Sequence, residues 1–172
     1  TKKGELSIEK NNINITDNDI AKIEKYGDIA YCNPINYGYA KSEEIVFIPG
    51  KNDNLQNNMG QVTALRYSAL HADFAEKVIS LQQGEHIIKT SEKAIIVSSE
   101  IAEKNNLSVG DNVILQSAEF GVENSEYIDV WKKDKKTVEV SIVGIYEILV
   151  ENTSATATAA KQENRIYASL DV

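Results

Sequence analysis

The residues that could do chemistry in this chain are two histidines, one cysteine, a pair of serines and several neighbouring acids. His71 and His86 are too far apart for a ligand pair on one helix, and no Cys/His spacing typical of zinc surrounds them. Each is interpreted as a surface or packing residue. Cys32 is the only cysteine, which excludes an intrachain disulfide and a thiolate metal cluster. Its neighbours offer no base or cation, which favours a buried, inert thiol.

The serines and acids favour no catalytic site either. Ser98 and Ser99 lie outside any Gly-x-Ser-x-Gly turn and stand where a helix would be capped. Acidic pairs arise readily by chance among 26 acidic residues, and none shows the alternating ligands and central glycine of a calcium loop. The pairs considered are Asp17 with Asp19, Glu43 with Glu44, and Glu123 with Glu126. We therefore expect a protein that is not an enzyme and needs no cofactor or metal.

Composition narrows the class of protein further. The chain has 172 residues, of which 42% are hydrophobic, so it can bury a globular core. Its formal charge of -8 repels polyphosphates, which disfavours nucleic acid as a partner. No stretch approaches the roughly 20 apolar residues that cross a bilayer. The chain as given is expected to be soluble, whether or not a parent protein is anchored in a membrane.

Local patterns predict short helices and strands in the first half of the chain. Thr16 and Asp19 form a capping-box pattern that predicts a helix over residues 16–26, with Gly27 in a left-handed C-terminal position. Residues 28–39 are typical of a strand kinked at Pro34. Residues 44–48 form a second apolar run. An Asn-rich loop over residues 51–60, a strand over 62–67 and a helical stripe over 69–81 follow.

The most regular unit spans residues 94–115. A β-branched strand leads into Ser98 or Ser99 as helix cap, a two-turn helix buries Ile101 and Ala102, and the turn at Gly110 begins another strand. Residues 127–131 and 137–148 predict a hairpin with a bulge at Gly144. A small-residue linker over 152–160 and a last strand over 165–170 complete the chain.

Two of these stretches together resemble a known family. Residues 98–115 followed by residues 138–147 are similar to the MacB-like periplasmic core domain of FtsX-like ABC transporter permeases. The helix and strand over 16–34, the stretch 81–84 and residues 164–170 stand in the order that this family shows. The resemblance covers most of the chain and depends on the order of its elements.

The resemblance implies an α+β fold with mixed sheets and short helices, in one extracytoplasmic domain over residues 1–172. Residues 1–45 and 138–172 would form a membrane-proximal α/β lobe, incomplete at its C-terminal end, and residues 46–137 an inserted, β-rich distal lobe. It also implies a non-catalytic function on the outer side of a bacterial cell membrane, with Gram-positive bacteria among the candidate sources. The implied partners are the rest of a membrane-embedded permease, its ATP-binding subunit, and an extracytoplasmic protein or peptide substrate.

Two alternatives remain beside the permease. A barrel-type soluble binding module would use the same Val-Gly-Asp turn at residues 109–111, which also occurs in swapped-hairpin and double-psi barrels. A hydrolase using scattered carboxylates is the third. For any contact surface, polar loop residues and amphipathic aromatics are the candidates, since such aromatics are common interface anchors. They are Asn54, Gln56, Asn58, Tyr127 and Trp131.

Overall fold

A computed structural model describes residues 15–50, 58–118, 120–123, 126–129, 136–151 and 157–172. The chain divides into two units, Thr1–Pro34 and Ile35–Val172. Asn54, Gln56 and Trp131 lie outside the described residues. The predicted linker over 152–160 is described only from residue 157.

The described part of the first unit contains one helix, α1 (Asp17–Glu24), and the predicted capping box is confirmed. The Asp19 N–H donates to Thr16 Oγ1 at 3.3 Å, and the Thr16 N–H donates to Asp19 Oδ2 at 3.0 Å. The prediction for Gly27 is wrong, because α1 is closed at Lys25 with φ −78° and Gly27 does not take a positive φ. Cys32 is half-buried rather than buried.

The second unit holds nine strands and two α-helices among its described residues. The helices are α2 (Ala72–Ala75) and α3 (Ser99–Asn105), and single 3₁₀ turns cover Ser68–Leu70, Thr158–Ala160 and Gln162–Asn164. The strands are β1 (Ile35–Lys41), β2 (Met59–Leu65), β3 (Ile79–Gly84), β4 (Ala94–Ser98), β5 (Asn112–Ala118), β6 (Phe120–Glu123), β7 (Glu126–Asp129), β8 (Thr137–Ile148) and β9 (Ile166–Ala168).

Six strands close into a barrel in the order β8-β4-β9-β2-β1-β5, with β5 returning to β8. Strand β3 pairs with β8 outside this ring, and β6 and β7 form a separate two-stranded sheet. The β4–β8 and β2–β9 pairs are parallel, and the other pairs are antiparallel. Short helices with a mixed sheet confirm the α+β class.

Strand β8 pairs with three other strands. Its first residues pair with β5, and its later residues pair with β4 and β3. Ile95 pairs with Ile142 but Ile96 with Gly144, so the register skips Val143. The bulge predicted at Gly144 is therefore confirmed, and it lets β8 change neighbours part-way along its length.

The core has two main clusters that share β4. Ile95 and Val97 belong to the first cluster, which also contains the inner residues of β5 and β8 and the helix residue Ile101. Ile96 belongs to the second cluster. A strand buried on both faces explains the continuous β-branched run in its sequence.

The barrel joins segments that the resemblance assigned to different lobes. Strand β1 lies before residue 46, yet it pairs with β2 and β5. Strand β8 lies after residue 137, yet it pairs with β3, β4 and β5. The division into a membrane-proximal and a distal lobe stays a prediction.

The helix predicted over residues 69–81 is wrong. The segment contains a 3₁₀ turn, the single turn of α2 and then the start of β3. The positive φ of Lys77, +58°, prevents α2 from continuing. The β-branched Val78 and Ile79 then favour the extended backbone of β3. The apolar residues whose spacing suggests a helix do pack on one cluster, but Phe74 does so from α2, Leu81 from β3 and Val78 from the turn between them.

The hairpin predicted from residues 127–131 and 137–148 also has the wrong partners. Strand β7 pairs with β6, while β8 pairs with β5 in a register that sets Thr137 opposite Gln116. The small β6–β7 sheet is thus an insertion between two paired barrel strands. The bounds of β8 itself match the predicted 137–148.

Candidate functional site

A partly buried polar network joins α2 to β9 and to the residue that precedes it. Arg165 Nη1 and the hydroxyl of Tyr167 both donate to Asp73 Oδ2. His71 caps α2 by accepting the Asp73 N–H at Nδ1, over 3.2 Å. Asp73 and Arg165 are 92 positions apart, and no local signal predicts their pairing.

Two members of this network, Tyr167 and Arg165, have raised pKa values. Burial raises the pKa of the Tyr167 hydroxyl, and its hydrogen bond to Asp73 raises it further. Burial acts to lower the pKa of Arg165, but the contacts with Tyr167 and Asp73 outweigh burial and raise that pKa. The guanidinium therefore stays charged and the phenol stays protonated, an arrangement that fixes two elements together.

Aromatic rings surround the network. Tyr167 contacts His71, Phe74 and Tyr146 at ring-centroid distances of 5.2, 5.0 and 5.6 Å. Tyr146 is fully buried, and its hydroxyl lies 2.9 Å from the carbonyl oxygens of both Gln162 and Arg165. Edge-to-face and tilted ring contacts of this kind stabilise a core in addition to the stabilisation that comes from the buried apolar area.

A serine and a histidine meet beside this cluster, and sequence reasoning missed the pair. Ser68 Oγ lies 2.9 Å from His86 Nδ1 and accepts the Ile87 N–H at 3.0 Å. A hydroxyl can accept and donate at the same time, so Ser68 can accept the Ile87 N–H while it donates its proton to a neutral His86 imidazole. Ser68 is 0% exposed, so its oxygen cannot reach a substrate, and the pair joins two chain segments. Both histidines occupy packing positions, as predicted.

Asparagine amides hold the extended segment over residues 45–50, which contains most of the apolar run 44–48 and pairs with no described strand. The Val46 N–H donates to Asn105 Oδ1 at 2.8 Å, and Asn105 Nδ2 donates back to the Val46 carbonyl at 3.2 Å. Asn164 makes the same two-way contact with Ile48, at 2.8 Å in both directions. Side-chain amides thus replace the backbone groups of a neighbouring strand.

Asn58, one of the predicted contact residues, also belongs to this arrangement. Its Oδ1 accepts the Phe47 N–H at 2.8 Å, and its Nδ2 donates to the carbonyl oxygens of Ser42 and Ile45. The fully buried Ile45 and the nearly buried Phe47 thereby reach the barrel core. The structure gives Asn58 an internal role, and its contact with a partner stays a prediction.

The other predicted contact residues are not brought together by the described structure. Tyr127 lies on β7, paired with Val122 of β6, and its side chain lies outside the described part. Asn54, Gln56 and Trp131 lie in undescribed segments. Ser98, considered as a nucleophile, caps α3 by accepting the Ile101 N–H at 3.1 Å and is 0% exposed.

An open pocket of about 310 Å³ lies at one end of β2. Its lining combines the apolar Leu65, Ile88 and Leu170 with charged groups of both signs. Asp171, one of the acids, already accepts the Lys93 N–H and the Ser169 hydroxyl. Within the described ranges, no group of three or more His, Cys, Asp or Glu side chains could hold a metal ion.

Comparisons with known proteins do not place the chain in a family. No family model matches the sequence, and no curated protein matches it either. Among the described residues, none of the helices combines the length and the apolar character required to span a bilayer.

Proposed function

We propose that this chain is a non-catalytic binding domain, and that it is the extracytoplasmic domain of a bacterial ABC transporter permease of the FtsX-like kind. The main support is that the two stretches carrying the resemblance form continuous structural elements. Residues 98–115 fold as the end of β4, α3 and the start of β5, and residues 138–147 lie within β8. These elements pair with one another and make the scaffold of the barrel.

In this proposal ATP is hydrolysed by a separate cytoplasmic subunit, and the membrane helices of the permease move the domain. The domain in turn engages an extracytoplasmic protein or peptide. The proposed contact residues are Asn54, Gln56, Asn58, Tyr127 and Trp131. The partners are the permease, its ATP-binding subunit and that extracytoplasmic ligand.

A second candidate is a soluble, cytosolic, barrel-type binding module unrelated to transport. The closed six-stranded barrel supports it, together with the tight turn in which Gly110 takes φ +99° between α3 and β5. The two candidates place the same domain on opposite sides of a membrane. Cell topology therefore separates them.

Labelling of a single exposed cysteine tests the location. In the full-length gene product with Cys32→Ala, Glu103→Cys places a thiol on the exposed face of α3. Ile101→Cys is the matched control, because that side chain is 1% exposed on the same helix. The permease proposal expects a membrane-impermeant maleimide to label residue 103 in intact cells and to spare residue 101.

The result that overturns the proposal is equally direct. Labelling of residue 103 only after cell lysis, with the protein in the soluble fraction, would support the soluble barrel module. Labelling in intact cells, with the protein in the membrane fraction and with the ATP-binding subunit co-purifying, would support the permease.

A further inference from the structure

Strand edges that lack a neighbouring strand need protection, because their free N–H and C=O groups pair with other chains. In the described part of the second unit, such edges include those of β3 and of the first residues of β5 and β1. Natural sheets protect edges with bulges, charges and covering loops. The three edges differ in this protection.

Two of the edges are protected. The register between β3 and β8 shifts between Leu81 and Gln83, and the strand ends at Gly84 with φ +77°. On β5, the Ile114 N–H donates to Glu44 Oε2 at 3.3 Å, so a carboxylate occupies the position of a neighbouring strand. Both devices oppose the addition of another strand.

The edge of β1 has neither device. Over residues 35–38 it pairs with β2, and it reaches β5 only from Tyr39 onward. Residues 35–39 are exposed on both faces of the strand, including Tyr37 at 62% and Ile35 at 42%. No charged side chain occurs between residues 35 and 40.

Because the β1 edge carries no charge, the same edge of a second copy can lie against it. The chain carries a formal charge of -8, so two copies repel each other through their net charge. The uncharged strip on β1 brings no like charges together when it faces itself. An antiparallel edge is also self-complementary about a two-fold axis, the commonest symmetry of protein dimers.

We propose that two copies of this chain pair antiparallel through the free edge of β1, about a two-fold axis near Tyr37. The pairing would join the two barrels through a continuous sheet, with the tyrosine rings of both strands on its outer face. It is independent of the proposed transport function, since it depends only on this strand.

Sedimentation equilibrium over a wide concentration range tests the pairing. We expect a monomer–dimer equilibrium for the wild-type chain, and Tyr37→Lys should weaken dimerisation by about tenfold or more because two cations meet near the axis. Ile114→Lys is the matched control, since Ile114 is 47% exposed on the outer face of another barrel strand. It should leave the dimer dissociation constant unchanged.

Amide hydrogen exchange provides a second readout that does not depend on a variant. Amides of residues 35–38 that point away from β2 should exchange more slowly as protein concentration rises. A wild-type chain that stays monomeric at about 1 mM would overturn the proposal, since that limit corresponds to a negligible affinity. A dimer equally weakened by both lysine variants, or unaffected by Tyr37→Lys, would also overturn it.

Discussion

The side-chain amide of Asn164 pairs with both backbone groups of Ile48, at 2.8 Å in each direction. Asn164 Nδ2 also donates to the Thr158 carbonyl at 2.7 Å, and the residue is 0% exposed. One buried side chain therefore satisfies backbone groups of two separate segments. Only an amide can do this, since it accepts and donates at the same end of a short side chain.

Asn164→Asp should strongly destabilise the protein. A carboxylate cannot donate to Ile48 and Thr158, and it would be buried as a charge, so we expect a loss of about 3 kcal/mol in the free energy of unfolding. Urea denaturation monitored by circular dichroism measures it.

Asn112→Asp is the control for that change. Asn112 Oδ1 accepts the hydroxyl of Ser141 at 2.6 Å, and an aspartate keeps this acceptor. Its effect should stay within about 0.5 kcal/mol. Similar losses in both variants would show that the donor groups of Asn164 do not matter.

Two tyrosines should resist ionisation at alkaline pH. Burial raises the pKa of Tyr146 and of Tyr167 above the ordinary value of 10.0, and for Tyr167 the hydrogen bond to Asp73 adds to the effect. Because the folded pKa is raised, the stabilisation is present below pH 10 and is lost as the pH rises further. Absorbance at the phenolate band should show two of the 8 tyrosines titrating only with unfolding. Titration of all eight in the folded protein would contradict the prediction.

On the acid side, His86 should make stability pH-dependent. Burial lowers its pKa below the ordinary value of 6.5. Because the pKa of the folded state is lowered, the contribution of His86 to stability is fully present above pH 6.5 and is lost as the pH falls below 6.5. Urea unfolding between about pH 7.5 and 5.5 should show a steeper loss for wild type than for His86→Asn, which keeps a non-titrating acceptor near Ser68. His71 is present in both proteins, so parallel curves would mean that His86 contributes nothing.

Gly84→Ala should be costly. Gly84 takes φ +77°, and an added Cβ would collide with the Val143 carbonyl and with Gly144. We expect a loss of at least about 2 kcal/mol in the free energy of unfolding. Gly38→Ala is the comparison, because nothing lies within 4 Å of its Cβ position and its φ is not positive. Thermal denaturation of the two variants should separate them clearly, and equal melting temperatures would argue against this account of β3.

Elements defined by local chemistry could be predicted from the sequence. Ser98 caps α3, Asn106 ends it with φ +54°, and Gly110 makes the following turn, all within a few residues of one another. The capping box of α1 is equally local. Short-range hydrogen bonds and backbone preferences decide such structures, so their residues can be read in order.

Elements that depend on distant partners could not be predicted. The partners of β8 come from β3, β4 and β5, and nothing in residues 137–148 specifies them. The asparagines that hold residues 45–50 come from three other parts of the chain, and nothing local in the sequence pairs them with this segment. The Asp73–Arg165 pair and the Ser68–His86 pair likewise join residues that only the folded chain brings together.

The position of β9 affects how the barrel can close. Residues 166–168 insert between β2 and β4 and pair with both, although β2 and β4 lie far earlier in the sequence. Until β9 is in place, the two barrel walls have no strand to join them, and apolar residues such as Ile95 and Leu65 lack its cover. Closure therefore waits for contacts between distant parts of the sequence, a slow, non-local route that leaves time for chaperones to bind.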